Sequence, residues 1–153
     1  MLKELSIENI KKELIDKISN NEEVLEIFRK REYSKDEGKC LREYGDSFIK
    51  DNYIFNHHVP DDFDNYIFVE ANEFEYPIYG NSKKEIRKSY SVDIMVEITD
   101  ISELDKLSIL LGDIATELYP NRYNYTNQSL FVTKKGSFGE YRCPKRIIKF
   151  TIE

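Results

Sequence analysis

The clearest periodic pattern in this chain is an alternating run from Lys88 to Thr99. In the centre of the run, apolar residues occupy every second position, while mostly polar residues fill the others. The apolar positions are Tyr90, Val92, Ile94, Val96 and Ile98. Successive side chains of a strand point to opposite faces of its sheet, so such a run has one buried face and one wetter face. The run therefore predicts a strand in a sheet that is covered on one side only.

Further strands are predicted on both sides of this run, from β-branched and aromatic residues. They cover residues 53–55, 66–69, 74–79, 129–133 and 146–152. Gly80, Asn81 and Ser82 form a turn signal that joins the 74–79 segment to the alternating run as a long hairpin. Pro77 predicts an edge strand or a bulge in the first half of that hairpin.

Three helices are predicted from apolar residues that recur every three or four positions. The first helix has Ser6 as its N-cap and places four residues on one face: Ile7, Ile10, Leu14 and Ile18. A second, short helix is predicted to begin at a capping box formed by Asn20 and Glu23. The third helix, 102–119, is predicted to begin at Ser102.

This order of elements predicts an α+β fold. We expect two layers, with a mostly antiparallel sheet and with the N-terminal helix pair and the long helix 102–119 packed on one face. At 153 residues and 40% hydrophobic content, the chain can bury one sizeable core. We expect a single domain over 1–153 with an irregular excursion at 33–52. Apolar runs are far shorter than a membrane span, and no secretory signal pattern is present, which predicts a soluble protein.

The charged residues are separated along the sequence, within a net charge of −6. An acidic block, 61–75, holds six carboxylates and no Lys or Arg: Asp61, Asp62, Asp64, Glu70, Glu73 and Glu75. A basic block, 134–149, holds six cations and the single Glu140: Lys134, Lys135, Arg142, Lys145, Arg146 and Lys149. Because patches of opposite charge attract, this separation predicts an association surface.

Two groups of residues have types that suit metal-dependent catalysis. His57 and His58 precede the acidic block, but neighbouring residues on a strand point to opposite faces, so we expect a solvated turn there. Asp93 and Glu97 share one face of the alternating run, as in a metal-dependent nuclease or phosphodiesterase. The lysine that such nucleases usually place two residues later is replaced by Thr99. We therefore expect no catalytic site, no metal and no cofactor, with the nuclease as the alternative.

The remaining candidates favour binding over chemistry. Cys40 and Cys143 match no disulfide or zinc pattern, and we expect both to be reduced. Eight of the twenty aromatic residues lie between 53 and 79, where strand packing is the simplest explanation and an interface is the sharper one. Tyr76 and Tyr79 are the candidate aromatic contacts.

The order of these features resembles the tail-terminator, or tail-completion, proteins of long-tailed bacteriophages. The shared features are an N-terminal amphipathic helix, a polar break at Asn20–Asn21 and a second apolar turn at 24–28. A Pro-containing acidic turn then leads from His58 into a strand, and a hairpin with a long alternating second arm is followed by a helix over 104–118. The resemblance covers most of the chain and is one of pattern and order.

The resemblance implies a structural virion protein at the tail–neck junction, assembled in the host cytoplasm. Such proteins form a ring, usually of six subunits, that caps the tail tube and connects it to the neck and head. The implied partners are the chain itself, the tail tube protein and a neck or connector protein. DNA is only passing cargo, and no membrane is involved.

Within such a ring, we expect the acidic block of one subunit to face the basic block of the next. Alternatively, the acidic block lines the lumen and keeps DNA from sticking. A different neck adaptor, or an inhibitor that binds one partner through the aromatic hairpin, remains as a further functional alternative.

Overall fold

The computed structural model describes residues 5–33, 38–57, 59, 64–80 and 83–153. The helices are α1 (Ile7–Ser19), α2 (Glu22–Arg29), a 3₁₀ helix (Leu41–Tyr44), α3 (Asp46–Tyr53) and α4 (Ile101–Leu118). The strands are β1 (Ile54–Phe55), β2 (Tyr66–Gly80), β3 (Lys83–Glu97), β4 (Tyr123–Gly136) and β5 (Gly139–Ile152). The predicted α+β fold is confirmed, with its N-terminal helix pair and its long helix.

The described strands form one five-stranded sheet in the order β1-β2-β3-β5-β4. The two-residue β1 runs parallel to β2, and all other neighbours are antiparallel. Two long hairpins, β2–β3 and β4–β5, lie side by side and build most of the sheet.

The two hairpins are offset along the strand direction. β3 and β5 pair only from Tyr90 and Ile152 at one end to Glu97 and Lys145 at the other. Beyond the first end, β2 and β3 continue as a two-stranded first arm, residues 74–80 and 83–89. Beyond the second end, β4 and β5 continue as a second arm, residues 131–136 and 139–144. The two arms therefore project from opposite ends of the sheet.

The core lies between one face of the sheet and the helices. The apolar positions of the alternating run are all buried, as predicted, and pack in one cluster with α1 and α4. α1 contributes Ile10, Leu14 and Ile18, α4 contributes Leu104, Leu107 and Leu111, and β5 contributes Ile148, Phe150 and Ile152. The opposite sheet face, here called the open face, carries half-buried Phe68, Met95 and Ile147.

Two predicted helix starts are wrong by one or two residues. The side chain of Asn21, not Asn20, caps α2 by accepting from the backbone N–H groups of Glu23 and Val24 at 3.0 and 3.1 Å. α4 is capped by Asp100 instead of Ser102. In both cases another residue that can act as a cap stands next to or near the predicted one, and only the backbone geometry selects between them.

The predicted strands are too short, and one is misplaced. The 66–69 and 74–79 segments belong to a single strand, and the 129–133 segment is the middle of the 14-residue β4. The extra residues lie mostly in the arms. The first arm has no buried residue between 75 and 88 among those described, and the second is held largely by polar contacts, so neither has an alternating apolar pattern to reveal it. Tyr53 ends α3 instead of beginning a strand. Pro77 lies on the part of β2 that β1 does not cover, so the edge prediction agrees with its position.

The 33–52 segment contains the predicted helical turn at Leu41–Tyr44 and, in addition, the unpredicted α3. Tertiary contacts stabilise this short helix, because Ile49 is fully buried and Arg29 of α2 binds the Asp46 carboxylate at 2.7 Å. Phe48 also stacks on Tyr44, with 5.0 Å between ring centroids. Such contacts leave no periodic signal in a segment of eight residues.

Among the described residues, no helix is long and apolar enough to cross a membrane.

Candidate functional site

A partly buried polar cluster lies where the start of β2 and the end of β3 meet the second arm. Its members come from the start of β2, the end of β3 and both strands of the β4–β5 hairpin. They are Asp64, Tyr66, Glu97, Lys134, Tyr141, Cys143 and Lys145.

Lys134 is the centre of this polar cluster. Its ammonium group donates to Asp64 Oδ1 at 2.7 Å and to Glu97 Oε2 at 2.5 Å. The side chains of Lys134 and Glu97 are only 10% and 3% exposed. Burial opposes the charged form of Lys134, but the two carboxylates outweigh it and raise the pKa of the lysine. Lys134 therefore stays protonated and balances charges that would otherwise be buried alone.

Two tyrosine hydroxyls complete the hydrogen bonds of the carboxylates. Tyr66 donates to Glu97 Oε1 and Tyr141 donates to Asp64 Oδ2, both at 2.8 Å. Burial and the bond to Glu97 raise the pKa of Tyr66 well above its usual range. Lys145 lies 3.9 Å from Glu97 Oε1 and supplies a second positive charge. The cluster thus holds two anions and two cations, and it ties the second arm to the base of the β2–β3 hairpin.

Part of the polar cluster also has the donor types of a metal site. Among the described residues, Asp64, Glu97 and Cys143 offer ligand atoms that all lie within 4.8 Å of one another. Burial raises the pKa of Cys143 to about 11, so its sulfur is a thiol and not a thiolate at neutral pH. The ammonium of Lys134 bonds to both carboxylates of this set. The residues present therefore fit an internal ion-pair network better than they fit a divalent cation.

The acidic block is divided among several surroundings. Asp61 and Asp62 lie outside the described residues, and Asp64 belongs to the polar cluster. Glu70 stands opposite Asp93 in the β2–β3 register, on the open face. Glu73 binds Lys88 at 3.3 Å, and Glu75 is exposed on the first arm.

The basic block is divided in the same way. Lys134 and Lys145 belong to the polar cluster, and Arg146 binds Asp105 of α4 at 2.5 Å. Lys149 stands opposite Asp93. Lys135 and Arg142 are exposed on the second arm, where the Arg142 guanidinium lies 4.6 Å from the Phe131 ring centre. The structure thus pairs Asp64 of the acidic block with Lys134 of the basic block, and it gives other charges of both blocks partners elsewhere in the same chain. The sequence pattern alone does not predict these pairs.

The other predicted candidates are distributed as follows. Asp93 and Glu97 do lie on one face of β3, but Glu97 is engaged in the polar cluster. Burial raises the pKa of Asp93, with Lys149 opposing the effect. His57 is exposed, and His58 lies outside the described residues.

Both candidate aromatic contacts, Tyr76 and Tyr79, lie on the first arm. Tyr76 donates a hydrogen bond to Glu153, whereas the side chain of Tyr79 is 76% exposed and that of Ile86 is 60% exposed. Tyr79 and Ile86 lie on the same side of the hairpin, because their register partners are Lys84 and Pro77. At the tip of the second arm, Phe138 is fully exposed.

Sequence reasoning missed the polar cluster but had part of its signal. Glu97 was recognised on the polar side of the alternating run and Lys134 within the basic block. Glu97 and Lys134 meet because of the β3–β5 and β4–β5 registers. The sequence pattern of each strand taken alone does not predict these registers.

The sequence matches no protein-family model, and no curated protein matches it at a significant level.

Proposed function

We propose that this chain is a structural virion protein of the tail-terminator kind, which forms a ring that caps a phage tail tube and connects it to the neck. The observation that carries the proposal is the pair of arms at opposite ends of the sheet. The order of elements that suggested the resemblance supports it as well. In this proposal the protein is not an enzyme, and the polar cluster is structural.

The arms are suited to contacts between subunits because each is only two strands wide, and only the second is also supported by the polar cluster. A two-stranded hairpin without further support is marginally stable in water, and packing against another surface stabilises it. Tyr79 and Ile86 expose apolar area on the first arm, and Phe138 does so at the tip of the second. Arms that leave a subunit at opposite ends favour head-to-tail contacts, which close into a ring when the rotation allows it.

The exposed charges of the two arms narrow the proposed interface. Glu75 on the first arm and Lys135 and Arg142 on the second are exposed, with Glu75 opposite Lys88 and Lys135 opposite Glu140 in the strand registers. In the proposed ring, these groups of neighbouring subunits lie near one another and steer association. Asp64, Lys134 and Arg146 are not needed for it, because they are paired within the chain.

The proposal is tested by the size of the particle in solution. We expect light scattering to show a ring, usually of six copies, when the tail tube protein of the same phage is added, and electron microscopy to show the ring at one end of each tube. The double variant Tyr79→Asp/Ile86→Asp should abolish this binding, because it places carboxylates in the proposed contact.

The matched control is Ile109→Asp. Ile109 is similarly exposed, at 64%, but lies on α4, which belongs to neither arm. It should bind tubes like the unmodified protein. A chain that neither binds tubes nor forms rings, or an arm variant that binds them normally, would contradict the proposal.

A further inference from the structure

β4 forms one edge of the sheet, and no described strand lies on its outer side. The outer row of backbone N–H and C=O groups on such a strand is a template for another strand. Natural sheets usually protect an edge of this length with charged side chains, prolines, bulges or a covering element.

The opposite edge of the sheet has these protections. β1 covers β2 at Ile67 and Phe68. Beyond that cover, β2 carries Pro77 and three glutamates: Glu70, Glu73 and Glu75. The free sides of the two arms carry charges as well, among them Lys83, Lys84 and Arg87 on β3 and Glu140 and Arg142 on β5.

The β4 edge has almost none of these protective features. From Tyr123 to Thr133 the strand has no charged residue and no proline, although 34% of the whole chain is charged. These eleven residues form the longest uncharged run in the sequence. Most of them are exposed, so burial does not explain the missing charges. One irregularity, between Tyr123 and Thr126, leaves the strand regular from Thr126 onward.

We propose that β4 pairs antiparallel with β4 of a second copy of this chain, joining two sheets across a twofold axis. An uncharged strand can pair with itself without placing like charges opposite one another. A twofold contact also pairs the β4 edge of one copy with the β4 edge of the other, so neither β4 edge remains free. The contact therefore closes as a dimer and does not propagate into a fibre. The β2 edge offers no comparable partner, because β1, Pro77 and its glutamates obstruct pairing there.

The side chains of β4 are complementary to themselves in one register. When Gln128 lies on the twofold axis and the pairing continues one residue beyond the regular segment that starts at Thr126, Tyr125 of each copy stands opposite Phe131 of the other. Both rings are half-exposed. Tyr125 lies on the helix side of the sheet, because its hydroxyl packs against Gly112 of α4. Phe131 lies on the same side, because it stands opposite Pro144, and Arg146, two residues further along β5, binds Asp105 of α4. Two aromatic cross-strand pairs would therefore form on one side of the dimer, and such pairs stabilise a sheet.

The self-pairing goes beyond the proposed ring and uses a different surface. The ring contacts were assigned to the ends of the two arms, whereas the dimer contact lies along the middle of β4. A variant that blocks one contact leaves the other intact, so the two proposals are tested separately.

The test uses the double variant Asn127→Lys/Ser129→Lys. Both residues are exposed. In the proposed register, Asn127 of one copy stands opposite Ser129 of the other, so the variant places lysine opposite lysine twice. We expect sedimentation velocity across a concentration series to show a monomer–dimer equilibrium for the unmodified protein. The dissociation constant of the variant should be about tenfold higher or more.

A charge-swap partner makes the test specific. Asn127→Glu/Ser129→Glu should be weakened alone to a similar extent, but an equimolar mixture of the lysine and glutamate variants should form a heterodimer. The control Ser47→Lys/Asp113→Asn makes the same change in net charge at exposed helical positions and should dimerise normally. Thermal unfolding of each variant verifies that it is folded.

Two results would overturn the proposal. One is an unmodified protein that stays monomeric at every soluble concentration, which would leave a strand of another protein as the occupant of the β4 edge. The other is a lysine variant that dimerises as well as the control. The arm variant Tyr79→Asp/Ile86→Asp should retain the dimer, so loss of tube binding with retention of the dimer separates failure of the ring proposal from failure of this one.

Discussion

Lys134 is a nearly buried lysine that binds two carboxylates at once. Its ammonium group neutralises two carboxylates, one of which belongs to the almost fully buried Glu97. The net value of a buried ion pair is often small, but the loss of one partner is costly because the other charge remains buried without compensation. The polar cluster should therefore be sensitive to single substitutions and tolerant of paired ones.

We predict that Lys134→Met destabilises the fold by about 3 kcal/mol, as expected when a buried carboxylate loses its partner. Urea unfolding followed by circular dichroism measures the change. Adding Glu97→Gln should recover most of the loss, because the amide is uncharged and still accepts the Tyr66 hydrogen bond. Lys135→Met, at the exposed neighbouring position, should change stability by less than about 0.5 kcal/mol. Equal effects of the two lysine substitutions would contradict the role of Lys134.

Among the elements, α4 is stabilised both by a local N-cap and by tertiary packing of its apolar stripe. Its apolar stripe packs against β3 and β5, and its N-terminus is closed by the Asp100 carboxylate. That carboxylate accepts from the Ser102 hydroxyl at 2.7 Å and from the backbone N–H groups of Ser102 and Glu103. The bond from the Ser102 hydroxyl and then the bond from the Glu103 backbone lower the pKa of Asp100 below its usual range.

This lowered pKa predicts how the cap responds to pH. A carboxyl whose pKa is lower in the folded state contributes its stabilisation fully above the unfolded pKa, which is about 4 for Asp. The contribution is lost as the pH falls through the folded pKa. We expect the stability difference between the unmodified protein and Asp100→Asn to be constant above about pH 5 and to shrink below about pH 4. Urea midpoints measured from neutral to acid pH test this, and a constant difference throughout would refute it.

At the scale of the whole molecule, the first arm is separate from the core. None of the described residues of the first arm between 75 and 88 is buried, whereas the paired segment of β3 from Tyr90 to Glu97 contains much of the core. The arm should therefore contribute little to the free energy of unfolding and be available for contacts with other molecules.

We predict that residues 75–88 can be replaced by an Asn-Gly turn without unfolding the protein. The replacement joins Phe74 to Ser89, which are already register partners, through a two-residue loop of the type that favours hairpins. The free energy of unfolding should change by about 1 kcal/mol or less, and tube binding should be lost. A chain that fails to fold after the replacement would show that the first arm belongs to the folding unit.

Much of the architecture was predictable because it depends on periodicity. The alternation from Tyr90 to Ile98 correctly gave a one-sided strand, and the stripe from Ile10 to Ile18 correctly gave the buried face of α1. α3 was missed because its stability comes from contacts such as Asp46 with Arg29 rather than from a repeated pattern. The predicted strands of the first arm are too short because a strand exposed on both faces has no alternation of apolar and polar residues.

The sequence by itself determined which face of α1, α2, α4 and the central strand β3 is buried, because the spacing of apolar residues follows directly from helix and strand geometry. It also determined the separation of charge into two blocks. Only the tertiary structure decided the strand order, the offset of the two hairpins and the meeting of Asp64, Glu97, Lys134 and Cys143. These features depend on pairing between segments far apart in the chain, and that pairing is set by the packing of all segments together.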